Sequence, residues 1–182
     1  MNHLNIPNLL SMLRIAMIPV CVIIYYLPFD WAALGAAIVF VLAAITDWLD
    51  GYLARRLDQS TPFGAFLDPV ADKLIVAVAL VMLVAAYHSL WLTLPAMVIV
   101  GREIVISALR EWMAELGNRS SVAVSMVGKV KTGVQMTAIA LLLAAMPGSL
   151  LSVLGLLLIW AAAALTLWSM LVYLRAAFAA LR

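Results

Sequence analysis

Four aspartates between residues 47 and 72 have the spacing of a metal-binding site. Asp47 and Asp50 are three residues apart, and Asp68 and Asp72 are four apart, so each pair shares one face of a helix. Four carboxylates held together repel one another unless cations neutralise them. Because the ligands are all oxygen atoms, they favour Mg²⁺ or Mn²⁺ over zinc. The pattern therefore predicts a site for a pair of divalent cations.

The chain that carries these residues has the composition of a polytopic membrane protein. Of its 182 residues, 67% are hydrophobic and 11% are charged, whereas soluble chains have about 25% charged residues. This composition excludes a cytosolic globular enzyme, a disordered tail and a basic nucleic-acid-binding protein. The single Cys21 excludes an internal disulfide and a multi-cysteine metal site. One buried aspartate could simply pair with an arginine, but four at helix-face spacing favour a functional site.

Uncharged stretches predict an all-α fold with six transmembrane helices. Asp, Glu, Lys and Arg are absent from 15–29, 31–46, 74–101 and 132–174. A span needs about 20 apolar residues, so each of the two longer stretches must be divided by a turn. We predict turns at Tyr87-His88-Ser89 and Met146-Pro147-Gly148-Ser149. The predicted helices cover about 9–27, 31–54, 63–86, 91–113, 124–145 and 150–174 of a single domain, 1–182, which begins with an interfacial segment at about 1–8.

The positions of Lys and Arg predict the orientation of the helices. The turns near 28–30, 87–90 and 146–149 contain neither residue type, and the basic residues are found at the opposite helix ends. By the positive-inside rule, both termini therefore face the cytoplasm. Trp31 and Trp91 would then lie at the outer interface, and the four aspartates at the cytoplasmic one.

The aspartates belong to a longer signature that resembles that of the CDP-alcohol phosphotransferases. It reads Asp47-x2-Asp50-Gly51-x2-Ala54-Arg55-x8-Gly64-x3-Asp68-x3-Asp72, with every fixed position of the family pattern present. The resemblance implies a homodimeric, six-helix enzyme of the bacterial cytoplasmic membrane, surrounded by membrane lipids, with two Mg²⁺ or Mn²⁺ ions at a site facing the cytoplasm. Such enzymes transfer a substituted phosphoryl group from a CDP-linked donor to an alcohol and release CMP.

The resemblance also implies a role for each residue of the signature. Asp47 and Asp68 would contact both metal ions, Asp50 one and Asp72 the other, and Asp72 would also take the proton of the attacking hydroxyl. The implied ligands of the CDP donor are Asp47, Gly51, Arg55, Thr61 and Gly64. The segment 6–14 resembles the family's N-terminal helix, which adds Asn8 and Arg14 to the donor site. An amphipathic helix start at the membrane surface would also account for polar residues at positions 8, 11 and 14.

Basic residues farther along the chain predict how the acceptor is bound. Arg102, Arg110 and Lys129 could surround an acceptor phosphate, whereas choline or serine would not require several cations. The segments 101–114 and 128–132 resemble those of family members that use CDP-diacylglycerol and sn-glycerol 3-phosphate. In the structural alternatives, Glu103 pairs with Arg110, and Lys129 or Lys131 extends to lipid phosphates.

Three other functions remain open at this stage. A related enzyme of the family could use a different acceptor alcohol. An aspartate-dependent prenyltransferase would have its acidic motifs on two well-separated helix pairs, but here they lie within 47–72. A cation transporter would have carboxylates near the middle of the membrane rather than at helix ends.

Overall fold

The structure, a computed structural model, describes residues 6–57, 62–116 and 126–180. Within these ranges the chain forms only α-helices and turns, which confirms the prediction of an all-α fold. The six helices are α1 (Ile6–Tyr25), α2 (Ala32–Leu57), α3 (Pro62–Tyr87), α4 (Leu90–Glu115), α5 (Met126–Ala144) and α6 (Leu150–Ala180). Each overlaps one of the predicted helices. The predicted interfacial segment is only partly described, because α1 already begins at Ile6.

Four of these helices are long and apolar enough to cross a membrane. Their apolar stretches are Asn8–Tyr25, Phe66–Tyr87, Leu90–Glu115 and Leu150–Arg175. The apolar stretches of α2 and α5, Ala32–Asp47 and Val130–Ala144, are shorter. In α2 the stretch ends at Asp47, where the charged signature begins. The described helices thus support a membrane protein, and the count of six spans stays a prediction.

The bundle has an apolar core and an apolar outer surface. Buried residues from all six helices form one continuous cluster, in which Phe40, Leu83, Ile99 and Ile159 are fully buried. Large side chains such as Leu157 on α6 are exposed on the outside. α1 packs against α2 and α3, and α6 packs against α4 and α5. A surface that is apolar on both sides of the helices fits lipid surroundings rather than water.

The turns at one end of the bundle agree with the predicted positions. His88, between α3 and α4, has a φ of 46°, and Gly148, between α5 and α6, has a φ of 86°. The indole Nε1 of Trp160 donates a hydrogen bond of 2.9 Å to the carbonyl oxygen of Trp91. Phe29 stacks on Trp31 with ring centroids 5.4 Å apart. This end is therefore rich in aromatic side chains, and the charged residues described below lie at the other end.

Candidate active site

The centre of the candidate site is Arg14, which joins carboxylates of two other helices. Its Nη1 lies 2.7 Å from Oδ1 of Asp47 on α2, and the same nitrogen donates a hydrogen bond to Oδ1 of Asp72 on α3. The Arg14 side chain is only 1% exposed, whereas each carboxylate is 46% exposed. The structure therefore brings Asp47 and Asp72 to one positive charge, with both carboxylates open to one side.

The polar face of α1 points into this site. The Ser11 hydroxyl donates a hydrogen bond to Oδ1 of Asp68, and Asn8 is as deeply buried as Arg14. A helix start lying on the membrane surface would leave these side chains exposed, so that alternative is wrong. Gly64, in the first turns of α3, is also buried. The structure thus places Arg14 in contact with Asp47 and Asp72, and it buries Asn8 on α1 and Gly64 on α3. The predicted roles of these three residues at the donor stay predictions.

Several predicted site residues lie outside the part of the structure that is described in atomic detail. Thr61 falls between the described ranges. Asp50, Gly51, Arg55 and Lys129 lie on helices, but nothing beyond their helical backbone is described. Their assigned roles stay predictions.

A cavity of about 400 Å³ connects the aspartates to the basic residues of the later helices. Pockets that bind small ligands usually fall between about 300 and 1,000 Å³. The side chains that line it come from α3, α4, α5 and α6. They include Asp68, Asp72, Lys73, Val76, Arg102, Glu103, Ile106, Arg110, Lys131, Thr132, Gln135 and Tyr173. Arg102 and Arg110, predicted from sequence to bind an acceptor, thus share one cavity with Asp68 and Asp72.

Arg102 is held firmly within the cavity wall. Its Nη1 donates to Oε1 of Glu103 over 3.1 Å, and its Nη2 donates to the Ser169 hydroxyl over 3.1 Å. Its guanidinium carbon also lies 5.6 Å from the centroid of the Tyr173 ring, a distance typical of a cation–π contact. These contacts use two of the three guanidinium nitrogens, so Arg102 contributes mainly fixed positive charge.

Glu103 forms a different ion pair from the one considered from the sequence. Its carboxylate accepts hydrogen bonds from Arg102 and from the Lys131 ammonium group. The expected pair with Arg110 is wrong. Glu103 and Arg110 are seven residues apart on α4, about 10 Å along the helix axis, whereas α5 places Lys131 directly beside Glu103.

The comparisons with known proteins identify the family. The CDP-alcohol phosphatidyltransferase family matches residues 4–168. The CDP-diacylglycerol–glycerol-3-phosphate 3-phosphatidyltransferase of Salmonella choleraesuis (strain SC-B67) is 60% identical over 173 residues, covering 95% of this chain and 94% of the relative. The Escherichia coli (strain K12) protein of the same name is 59% identical over the same shares. The chain belongs to the CDP-alcohol phosphatidyltransferase family.

The family match of this CDP-alcohol phosphatidyltransferase covers both parts of the cavity wall, the acidic part and the basic part. It includes the aspartate signature on α2 and α3 and all of the lining residues of α4 and α5. Tyr173 on α6 lies beyond the matched range. The family is therefore shown by more than the signature alone.

The aspartates have the donor chemistry of a magnesium or manganese site. Asp47 and Asp72 offer only carboxylate oxygens, and they already converge on one cationic nitrogen, that of Arg14. Among the described side chains, no three acidic, histidine or cysteine groups lie close enough together to hold a metal ion. Asp50 is not among those side chains. The described carboxylates thus fit a divalent cation in the type of their ligand atoms.

Three buried residues with polar groups line the cavity and were not predicted from the sequence as site residues. Lys131 was considered only as a side chain that extends to lipid phosphates, but it is buried and contacts Glu103. Gln135 and Tyr173 are also buried and line the cavity. The only available signal was the spacing of Lys131 and Gln135, one helical turn apart on α5. Gln135 is uncharged and lies in an apolar helix, so its residue type alone did not indicate that it lines a cavity.

Proposed function

We propose that the protein transfers the phosphatidyl group of CDP-diacylglycerol to sn-glycerol 3-phosphate, producing phosphatidylglycerophosphate and CMP. The observation that carries this proposal is the shared cavity, with Asp68 and Asp72 on one side and cationic side chains on the other. An acceptor whose phosphate is bound by the cations can place a hydroxyl beside Asp72. The names of the relatives from Salmonella choleraesuis and Escherichia coli describe this reaction.

On the donor side, the aspartates of α2 and α3 would hold the metal ions that bind the reacting phosphates. Asp47, Asp50, Asp68 and Asp72 would bind two Mg²⁺ or Mn²⁺ ions, which neutralise charge on the pyrophosphate when bound. Arg55 is suited to a phosphate because its guanidinium donates paired hydrogen bonds. Gly51, Thr61 and Gly64 would border the nucleotide, with Asn8 and Arg14 below them. Arg14 keeps Asp47 and Asp72 at a fixed separation through its shared nitrogen.

On the acceptor side, positive charge is arranged around the cavity at different depths. Arg110 is exposed and lines the cavity, whereas Lys131 and Arg102 are buried. Glu103 contacts both buried cations and so fixes their positions. We assign the acceptor phosphate to Arg110, Lys131 and Lys129, with Arg102 supplying charge from the wall. Asp72 then accepts the proton of the hydroxyl that attacks the donor.

In the membrane, the chain forms one domain with six spans, with both termini and the active site on the cytoplasmic side. The distribution of Lys and Arg supports this orientation, because the turns at the aromatic end, which contains Trp31, Trp91 and Trp160, have neither residue type. The relatives come from bacteria, so the bacterial cytoplasmic membrane is the assigned location. A homodimer is part of the proposal through the family resemblance.

The acceptor assignment is tested by comparing two acceptors in two proteins. We expect the wild type to use glycerol 3-phosphate far better than glycerol, which lacks the phosphate. Arg110→Ala should raise the KM for glycerol 3-phosphate about ten- to hundredfold, the usual effect of losing a charged hydrogen bond. The KM for CDP-diacylglycerol should change little, because the donor site lies elsewhere.

The matched control is Arg175→Ala, which removes an exposed arginine that does not line the cavity. It should leave both KM values unchanged. If Arg110→Ala lowers the amount of folded protein but changes neither the acceptor KM nor the preference over glycerol, Arg110 only anchors its helix at the membrane.

A further inference from the structure

Gln135 is a buried amide that lines the cavity and has an unused hydrogen-bonding atom. The residue is 3% exposed, and its carboxamide oxygen is enclosed. Within the described part of the chain, no group donates a hydrogen bond to that oxygen. Buried polar atoms are rarely left unpaired, because burial removes the water that would otherwise bind them. Rotation of the carboxamide about its last side-chain bond turns this oxygen toward the cavity that the residue lines, where a ligand group can be its partner.

The neighbours of Gln135 on the cavity wall already have partners. Lys131, one helical turn away on α5, contacts Glu103, and Arg102 contacts Glu103 and Ser169. The charged side chains of the cavity wall are thus held by contacts within the protein. Asp72 and Val76 of α3 line the same cavity. A ligand with its phosphate at the cations and one hydroxyl at Asp72 would have the rest of its carbon chain near Gln135.

The chemistry of the unpaired atom restricts what it can bind. A carboxamide oxygen accepts hydrogen bonds and cannot donate them. A phosphate dianion also only accepts, so it cannot be the partner of this oxygen. A hydroxyl carries a proton and can donate it. The ligand group at Gln135 is therefore a hydroxyl rather than a phosphate.

We propose that Gln135 binds the acceptor hydroxyl that does not react, and thereby selects a phosphorylated polyol over a phosphorylated simple alcohol. This inference rests on the proposed function, since it assumes glycerol 3-phosphate as the acceptor. Of the two hydroxyls of that acceptor, the primary one attacks the donor and the secondary one remains. Gln135 is a specificity-determining residue for this remaining hydroxyl.

The test compares glycerol 3-phosphate with 3-hydroxypropyl phosphate, which has the same phosphate and primary hydroxyl but no secondary hydroxyl. In the wild type, kcat/KM should be about ten- to hundredfold higher for glycerol 3-phosphate, because the analogue leaves the buried amide unpaired. In Gln135→Met, which has a similar length and no hydrogen-bonding group, this ratio should fall to near one. Gln135→Leu is a second apolar variant and should behave in the same way.

Two further variants separate recognition of the hydroxyl from a structural role. Gln135→Glu keeps an accepting oxygen and should retain a clear preference for glycerol 3-phosphate. Thr137→Val removes a hydroxyl from the same helix, where Thr137 bonds to its own backbone at Gly133, and should leave the ratio unchanged. If Gln135→Met and Gln135→Leu reduce the use of both acceptors equally, so that the ratio is kept, the inference is wrong.

The same assay distinguishes failure of the inference from failure of the proposed function. If the wild type releases no CMP on addition of glycerol 3-phosphate, the proposed function is wrong. The inferred role of Gln135 is then wrong as well, because it assumes this acceptor. If the wild type uses glycerol 3-phosphate but accepts the analogue equally well, the function stands and the role of Gln135 is contradicted. Both outcomes are read from the wild type before any variant is made.

Discussion

Asp72 lies where the two halves of the cavity meet, and its neighbours determine what its carboxylate can do. Arg14 contacts one of its oxygens, the side chain is 46% exposed, and the residue lines the cavity. A carboxylate that is fixed in position and open on one side can accept a proton from a bound hydroxyl. This geometry supports its assignment as the general base, which was first made from the family resemblance.

We expect Asp72→Asn to lose turnover by a factor of about 10²–10⁴, the usual contribution of a general base. Asparagine keeps the shape of the side chain, so binding of CDP-diacylglycerol should be largely retained. The measurement is a single-turnover rate together with donor binding in the same preparation. Asp30→Asn, an exposed aspartate in the turn after α1, is the control and should behave as wild type. Normal turnover in Asp72→Asn would rule out Asp72 as the base.

Arg14 should contribute to stability as well as to the geometry of the site. Arg14→Gln removes the shared positive charge from Asp47 and Asp72 and leaves the two carboxylates to repel each other. Hydrogen bonds to charged groups contribute about 1.5–3 kcal/mol. We therefore expect a lower thermal unfolding midpoint in metal-free detergent solution, which Mg²⁺ should partly restore. An equal decrease in the exposed-arginine control Arg175→Gln would contradict this account.

Residue types in the site could be predicted from the sequence more readily than their partners could. The aspartates are recognisable because charge is rare in an apolar chain. Lys131 contacts Glu103 because its position on α5 faces α4, and positions two residues apart on a helix differ in direction by about 200°. The side of α5 that faces α4 depends on how α5 packs against its neighbouring helices. The contact between Ser11 and Asp68, 57 residues apart in the chain, likewise depends on tertiary packing.

At the scale of helices, the sequence predicted positions well and packing hardly at all. Uncharged stretches located the helices. Polar residues predicted the turn at His88, and Pro147 with Gly148 predicted the turn between α5 and α6. Helix boundaries follow from local hydropathy and turn chemistry, which are properties of short segments. The closeness of two helices depends instead on which small residues meet across the interface. Gly155 of α6 is such a residue, and nothing in the local sequence distinguishes it from the other glycines.

We expect Gly155→Ala to destabilise the packing of α6 against α5. A Cβ at this position would lie 2.7 Å from Cγ of Leu142, a fully buried side chain. Overpacking of this kind costs about 1–3 kcal/mol, and the thermal unfolding midpoint should fall accordingly. Gly133→Ala is the matched control, because in the described part of the chain no atom beyond its chain neighbours and its own helix backbone lies within 4 Å of the added Cβ. If both variants unfold at the same temperature, the two helices are not packed this closely.

At the scale of the whole molecule, the orientation in the membrane can be tested by cysteine labelling. His88→Cys and Met146→Cys lie at the aromatic end and should react with a membrane-impermeant maleimide from outside the cell. Glu115→Cys and Arg175→Cys should react only after the membrane is permeabilised. The native Cys21 is buried and should contribute little background. Outside labelling of Glu115→Cys, or no outside labelling of Met146→Cys, would contradict the proposed six-span topology.

The central claim is that the aspartates and the cations form one metal-dependent site for phosphatidyl transfer. Its most direct test is the rate of CMP release by the purified protein with CDP-diacylglycerol, with and without sn-glycerol 3-phosphate. Release should require the acceptor, stop when a chelator removes divalent metal, and resume with Mg²⁺ or Mn²⁺, because four carboxylates cannot bind the pyrophosphate without them. Acceptor-dependent release that continues at full rate in metal-free buffer would contradict the account.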